Sequence, residues 1–369
     1  MNDKMMDANE MVDVCQTMTM DPNGVPNKMV DGTQTKAVGR FDIKQFFASR
    51  PVLLAPMAGV NDPVFRSICK RMGATLTYSE MISAKGLAYG NTRTDDMLLF
   101  FEDEAPFAVQ LFGNEPAVLA ATAVQLEKRL AGNLAFIDIN MGCPARKVTG
   151  KGDGAALLRT PELAREIISA VSNAIQTPLT VKIRKGFELD EDIAVEFACM
   201  AQEAGAAAVT VHGRTAHQFY KGVADRFVID RVVNAVSIPV IASGDVYART
   251  DIEDYFARGA AGVMVARGAC GNPWIFSSDR KTNASYSAPT MYSAPTICSA
   301  PTIKERVALA WEHTSRLYEV DPKKLVSMRR HIAWYFKATP YAAAIRRSLN
   351  DCKVLEDYQT LLEAVMLWY

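Results

Sequence analysis

The 369-residue chain has no surplus of either charge, since 41 Lys and Arg are matched by 41 Asp and Glu. That excludes the globally basic surface of many nucleic-acid-binding proteins, so any such contact has to come from a local patch. Cysteines are few and scattered, at positions 15, 69, 143, 199, 270, 298 and 352, and no Cys-x-x-Cys pair occurs. The pattern excludes a zinc ribbon or a thioredoxin-type centre, leaves no metal site to expect, and indicates reduced thiols in a cytoplasmic protein. No run of 18 apolar residues is present, and the polar, Met-rich N-terminus has no basic segment leading into an apolar stretch. Neither membrane insertion nor secretion is expected, and no feature calls for an obligate protein partner.

The composition is that of an ordinary globular protein, with 49% hydrophobic and 22% charged residues. Residues 1–48 show no sustained period of 2 or 3.6 and read as a poorly ordered extension. From Pro51 onward, short runs rich in Val, Ile and Ala alternate with Gly/Pro/Asn turns and longer helical stretches. Eight strands are predicted: 52–55, 75–79, 107–112, 135–140, 179–183, 208–211, 240–242 and 263–266. Helices are predicted between them, as over 116–130 and 161–175, where Pro116 and Pro161 sit at the first helical position beside the acids Glu115 and Glu162. Near-continuous apolar strands alternating with helices indicate a parallel sheet covered by helices, and eight repeats complete a TIM (β/α)8 barrel over residues 49–284. A threefold Ser-Ala-Pro-Thr repeat then makes 285–302 a linker, because prolines 289, 295 and 301 forbid a regular helix. Residues 303–369 are expected to form a small helical domain, with Leu309, Trp311, Leu317, Trp334, Phe336, Leu349 and Leu361 as its core.

In a TIM barrel the active site lies at the C-terminal ends of the strands, so the polar residues that close each run are the site candidates. They are Pro56, Met57 and Ala58 after the first strand, Gln110 in the third, Asn140 and Cys143 at the fourth, and Lys182 in the fifth. The sixth ends in His212 and Arg214, the seventh in Ser243, Gly244 and Asp245, and the eighth in Ala266 and Arg267. The last two ends suit a phosphate, because small residues let backbone N–H groups approach an anion. Lys182 stands out, since burial of a lysine inside a barrel strand requires compensation.

Several of these segments are specific in combination. Asn140-Met141-Gly142-Cys143-Pro144, followed by Lys147-Val148 and Gly154 to Leu158, resembles the signature of the tRNA-dihydrouridine synthase family. The resemblance extends through Ala55 to Val60, His212 to Thr215, Arg267 to Ala269 and Arg330 to Tyr335, covers roughly residues 50–365, and is nearest to the bacterial B-type group. It implies an FMN lying across the barrel mouth and reduced by NADPH. A hydride passes from it to C6 of a uracil while a cysteine protonates C5. On that reading Cys143 is the general acid, its alternative being a buried small hydrophobe. An unperturbed thiol titrates near ~8.5 and is mostly protonated at neutral pH. Lys182 would hold the negative N1/O2 edge of reduced flavin, and Gln110 would meet the pyrimidine edge. His212 would bond the flavin or its phosphate, or be a satisfied core histidine. Pro56, Met57 and Ala58 match the strip beneath the ring, and Gly244, Asp245, Ala266 and Arg267 match the phosphate end. Ser243 departs from the Asn common in the family, which removes an amide contact.

A uracil within folded RNA has to be turned out to reach such a pocket. Residues 304–369 carry 11 Lys and Arg against 8 Asp and Glu, densest at Arg329-Arg330 and Arg346-Arg347, so this segment is the expected tRNA clamp. The alternative for each arginine is a solvated bundle face. Lys147 and Lys151 beside the Cys143 loop are expected to contact phosphates, Arg214 a phosphate or base, and Asn140 the target uracil. Two rival functions remain: another FMN-dependent barrel reductase acting on a small molecule, and a tRNA-binding protein without turnover.

Overall fold

In the computed structural model, which describes residues 29–30, 41–277 and 300–369, the eight apolar runs form eight parallel strands. They are β1 (Val52–Leu54), β2 (Tyr78–Ser83), β3 (Phe107–Phe112), β4 (Leu134–Met141), β5 (Leu179–Arg184), β6 (Ala208–His212), β7 (Val240–Ser243) and β8 (Gly262–Val265). The sheet order is β1-β8-β7-β6-β5-β4-β3-β2. A parallel bridge between Leu53 and Leu76, with Thr75 N–H donating to the Val52 carbonyl at 2.8 Å, joins its two ends. The sheet is thereby the barrel predicted from the sequence. β2 begins at Tyr78 rather than at Thr75, because the segment 75–77 makes the bridge to β1. Its continuation pairs with β3 after a register shift between Tyr78 and Met81.

Alternation along the strands sorts the side chains. Ile137, Ile139 and Met141 of β4, or Val209 and Val211 of β6, pack outward against the helices. The inward set changes character along the barrel axis. At the N-terminal end Leu53, Ala108, Phe136, Ala208, Ile241 and Met264 form one apolar cluster. Two residues further on the same faces carry Gln110, Asp138, Thr180 and Thr210, all buried. At the C-terminal end stand Asn140, Lys182, His212 and Ser243.

Residues 43–48 depart from the expected loose extension. Ile43–Ala48 is a helix N-capped by Asp42, whose carboxylate accepts from the N–H groups of Lys44 and Gln45 at 3.0 Å. Its phenylalanines explain the order. Phe41, Phe46 and Phe47 surround Phe136 at ring separations of 6.1, 6.4 and 6.5 Å and cover the apolar end of the barrel. The rest of the extension, apart from residues 29–30, and the repeat up to residue 299 lie outside the described residues.

Thr302 and Glu305 form a capping box that starts the helix Ile303–Val320, which is followed by Met328–Tyr335, Ala342–Ser348 and Leu355–Trp368. These helices share a core with the barrel, since Val64, Ile68, Phe101 and Trp274 belong to the same cluster as Leu317, Ile332 and Leu362. The joint is also polar. Glu312, fully buried, takes Arg71 at 2.6 Å and Arg316 at 3.0 Å, and His313 Nε2 lies 3.1 Å from the Asp62 carboxylate. Gly271, with φ +71°, admits this contact, because a Cβ there would lie 2.2 Å from the Trp334 backbone.

Beside the joint, Arg66 and Glu104 form a buried pair at 2.5 Å, and Glu104 also accepts from the Thr77 hydroxyl at 2.6 Å. Removing one partner leaves an uncompensated charge. Glu104→Leu is expected to lose about 3–5 kcal/mol in urea unfolding, and Arg66→Met with Glu104→Leu to lose less than the sum of the single changes. Additive losses would show that the pair is not coupled.

Candidate functional site

The polar inner faces of β3 to β7 open at the C-terminal end of the barrel into a cavity of 390 Å³, within the ~300–1,000 Å³ usual for ligand pockets. Pro56, Met57, Ala58, Gln110, Asn140, Cys143, Lys182, His212, Ser243, Gly244, Asp245, Ala266 and Arg267 all line it. The walls between them are small: a Cβ on Gly244, whose φ is +122°, would lie 2.8 Å from Ala224 and 3.0 Å from the His212 ring.

Cys143 is half-buried on the loop that leaves β4. Its N–H donates to Asn140 Oδ1 at 2.8 Å, its carbonyl accepts from Ala155 N–H at 3.0 Å, and the preceding Gly142 carbonyl accepts from Arg184 Nε at 2.9 Å. Polar groups from several segments therefore hold this loop. Asn140 also donates through Nδ2 to Gln110 Oε1 at 2.8 Å, which leaves one N–H of its amide for a ligand.

The cavity is electropositive. Arg184 follows Lys182 by two residues and so shares its face. Burial pushes Arg184 down to about 10, and its guanidinium is held by the carbonyls of Gly142, Thr215 and Phe219. Burial, aided by Arg184 and opposed by Asp138, brings Lys182 from 10.5 to about 8. His212 is held well below its ordinary range by burial and then by Arg184, Lys182, Arg214 and Arg267, so its imidazole is neutral. Its Nε2 is buried and has no partner among the described residues, an atom to which a bound ligand can bond. Beneath them Asp138 is raised to about 6 by burial, against the hydrogen bonds from Thr180 and Gln110 that favour its charged form.

Several other expected residues sit differently. Arg214 is 2% exposed, and its N–H groups reach Lys221 and Gly222 carbonyls and, in bidentate fashion at 2.8 and 2.6 Å, the Asp245 carboxylate. With its donors so engaged, it braces the β6 and β7 loops and offers an RNA little. Asp245 likewise binds Arg214, Arg267 and the Ala224 N–H, so it reaches the cavity as a neutralised group. Arg329 turns into the helical domain and donates to the Cys352 carbonyl at 2.7 Å. Arg330 is exposed at the mouth, bonds the Gly59 carbonyl and lies 5.2 Å over the Trp334 ring. Lys147 and Lys151 are both exposed beside the Cys143 loop and lie outside the cavity lining.

Sequence reasoning missed Asp138, Arg184, Tyr220, Tyr247 and Trp334 at or under the site. For the first two a signal existed, since Asp138 and Arg184 stand two residues from Asn140 and Lys182 and must share their faces. For Trp334, assigned to the core of the helical domain, none did: it lines the cavity because the helix Met328–Tyr335 docks against the barrel mouth. A second cavity of 640 Å³ continues from the first, sharing Tyr220, Tyr247 and Arg267 and bordered further out by Arg226 and Lys337.

The arrangement unites a thiol, cations at one edge and a neutral imidazole around a slot with small walls, a setting for proton delivery to a flat ring beside an anionic ligand. The chain matches the family described as dihydrouridine synthase (Dus) over residues 53–367. It is 35% identical to a probable tRNA-dihydrouridine synthase 1 from Synechocystis, over 92% of this chain and 93% of that one. It is 36% identical to a tRNA-dihydrouridine synthase B from Proteus vulgaris, over 89% and 98%. A tRNA-dihydrouridine synthase B from Pseudomonas aeruginosa is 35% identical over 81% and 87%. Among the described residues no helix is long and apolar enough to cross a membrane.

The depressed Lys182 makes a pH prediction. Below about pH 8 the lysine is charged both folded and unfolded, and the fold bears the full cost of burying it. Between about 8 and 10.5 the folded state releases the proton first, so the ligand-free protein gains stability as pH rises through that window. In urea unfolding at pH values of about 7 to 10, Lys182→Met should remove this gain. Parallel profiles for the two proteins would return Lys182 to an ordinary lysine.

Proposed function

The chain belongs to the dihydrouridine synthase family, which makes it a flavin-dependent oxidoreductase, and on that premise we propose that it uses FMN and NADPH to saturate the C5–C6 bond of particular uridines in tRNA, with Cys143 as general acid. The observation that carries the reading is that Cys143 and Lys182, from neighbouring strands whose Asn140 and Lys182 are in register, line one cavity.

The residues suit a flavin phosphate ester. Pro56, Met57 and Ala58 offer a flat apolar strip to the ring. Lys182 would supply a cation for the negative charge of a reduced flavin, and the bare His212 Nε2 would take a polar atom of the cofactor. Gly244 and Arg267 with Gly268 provide close backbone approach and positive charge for the phosphate. When bound and reduced by NADPH, the flavin supplies the hydride for C6 of the uracil. Cys143 Sγ carries the proton for C5, and the loop contacts to Asn140, Ala155 and Arg184 hold that atom against the ring. Arg184 keeps the Cys143 loop closed through Gly142 and adds positive potential at the uracil carbonyls. The small walls and Trp334 exclude water from the slot.

The target nucleotide has to be extruded from the RNA to enter, and its flanking phosphates need cations around the opening. Arg330 is exposed at the mouth, Lys147 and Lys151 are exposed beside the Cys143 loop, and Arg346 and Arg347 are exposed on the helical domain. Asn140 and Gln110, tied to one another, shape the floor of the slot rather than reading the base alone.

Cys143→Ala should keep the flavin spectrum and tRNA affinity while lowering dihydrouridine formation by roughly 10²–10⁴, the range of a lost general acid. Undiminished turnover would remove Cys143 from the chemistry, and efficient reduction of a free enone without tRNA would favour a small-molecule reductase. Arg330→Ala should weaken tRNA binding and flatten the salt dependence by about one unit of slope, as for one lost phosphate contact. Arg329→Ala should leave the slope alone and lower stability, a split read by filter binding against salt and by thermal melting.

A further inference from the structure

Beneath the cavity floor runs a chain of hydrogen bonds whose direction is set at both ends. The Thr180 hydroxyl donates to Asp138 Oδ1 at 2.6 Å, and Gln110 Nε2 donates to Asp138 Oδ2 at 2.7 Å. Asn140 Nδ2 then donates to Gln110 Oε1, and Asn140 Oδ1 accepts from the N–H groups of Gly142 at 3.1 Å and Cys143 at 2.8 Å. Strand register imposes the alignment, because Gln110 pairs with Asp138 and Asp138 with Thr180, while Asn140 follows Asp138 on the same face.

An amide side chain can turn either way, but two amides in series between fixed ends cannot. At one end backbone N–H groups can only donate. At the other, the Asp138 atom facing Gln110 can only accept. A single orientation of Gln110 and Asn140 satisfies both, and with Asp138 and Gln110 shielded from solvent no water can repair a reversal.

We propose that Asp138 is a positioning residue that acts through Gln110 and Asn140 to hold the backbone of Cys143, and so the direction in which its sulfur enters the slot. The device survives protonation of the carboxyl. A proton on Oδ1 can point to the Thr180 oxygen and leaves Oδ2 as an acceptor, so the burial that raises Asp138 to about 6 does not undo it. Lys182 and Tyr78 are the titratable groups that act on the Asp138 carboxyl. The link to turnover rests on the function proposed above; the link to the Cys143 backbone does not.

The test is a charge-shift cycle on the flavin-loaded enzyme, read by amide hydrogen exchange at Gly142 and Cys143 and by kcat and KM for tRNA. In Gln110→Glu two carboxyls face each other. While they share a proton the introduced carboxyl can donate to Asp138 and the chain holds, but once that proton leaves two acceptors oppose. Relative to the unmodified protein at the same pH, exchange should be within about threefold at about pH 6 and faster by about tenfold or more at about pH 9, the factor carried by one lost net hydrogen bond. kcat should fall with it at nearly constant KM. Gln110→Glu with Asp138→Asn moves the acceptor one place along: the introduced amide donates to the introduced carboxylate, which still accepts from Asn140. Exchange should then return to within about threefold at both pH values. Asp138→Asn alone can turn its oxygen to Gln110 and should also stay within about threefold in exchange. Equal exchange in Gln110→Glu and the unmodified protein at the higher pH, or a double variant no slower than Gln110→Glu, would overturn the proposal. An exchange cycle that behaves as described in a protein that makes no dihydrouridine would sink the proposed function and leave the positioning chain standing.

Discussion

Everything at the mouth of this barrel depends on keeping polar groups buried above an apolar floor. The inner faces of the strands pass within two residues from Phe136 and Ile241 to Asp138, Thr180 and Gln110, and within two more to Lys182 and His212. A buried polar group without a partner costs roughly 1–3 kcal/mol, and an unpaired charge more. In the middle layer Asp138, Gln110 and Thr180 meet that constraint by bonding to one another, while the Thr210 hydroxyl has no partner among the described residues. Asp138 accepts from two strands, Gln110 bridges to Asn140, and the network ends on the loop that bears Cys143. One layer higher His212 Nε2 faces the cavity without a partner among the described residues, and Lys182 lines the same space.

The helical domain is part of this arrangement. Its core is continuous with the first barrel helix, and the joint is built from Glu312 between Arg71 and Arg316, and from His313 on Asp62. Asp62 caps the helix Pro63–Arg71 and accepts from Phe65 N–H at 2.9 Å, so the same carboxylate that starts a barrel helix receives the imidazole of the domain. Phe65 stacks on that imidazole at 5.9 Å. The helix Met328–Tyr335 is thereby set at the mouth, where Trp334 enters the cavity wall and Arg330 reaches the Gly59 carbonyl. The exposed guanidinium of Arg330 therefore adjoins the strip Pro56-Met57-Ala58, and the rim of the cavity is tied to the helical domain.

Much of this was legible from local pattern. β3 spans the predicted residues, and the helices begun by Pro116 and Pro161 end within one residue of expectation. The strand-end rule brought the expected strand-end residues, Arg214 excepted, to one cavity, because a closed parallel barrel leaves the C-terminal ends nowhere else to point. What escaped was of two kinds. Asp138 lies below its strand end and Arg184 one residue past the predicted end of its strand, although period 2 places both on the working face. Trp334, the bracing role of Arg214 and the docking of Phe41, Phe46 and Phe47 depend on contacts between segments far apart in the chain, for which a single sequence carries no distance information.

Arg184, Arg214 and Arg330 show why residue type alone assigns so little. Each lies within the segments that match the family, and each is a guanidinium with a planar fork of donors. Arg184 points its donors at loop carbonyls and turns its charge toward the cavity. Arg214 meets a carboxylate whose pKa it helps to lower, and the two charges cancel at the cavity edge. Of the three, Arg330 is the exposed one, and only there is a guanidinium's charge still open to a phosphate. The field in the cavity therefore comes from Lys182 and Arg184, with Arg267, which shares Asp245 with Arg214, adding to it at the edge, while Asp138 lies a layer below them. A site built this way draws an anionic ligand toward the wall that also carries the Cys143 thiol, because Arg184 bonds the Gly142 carbonyl beside it.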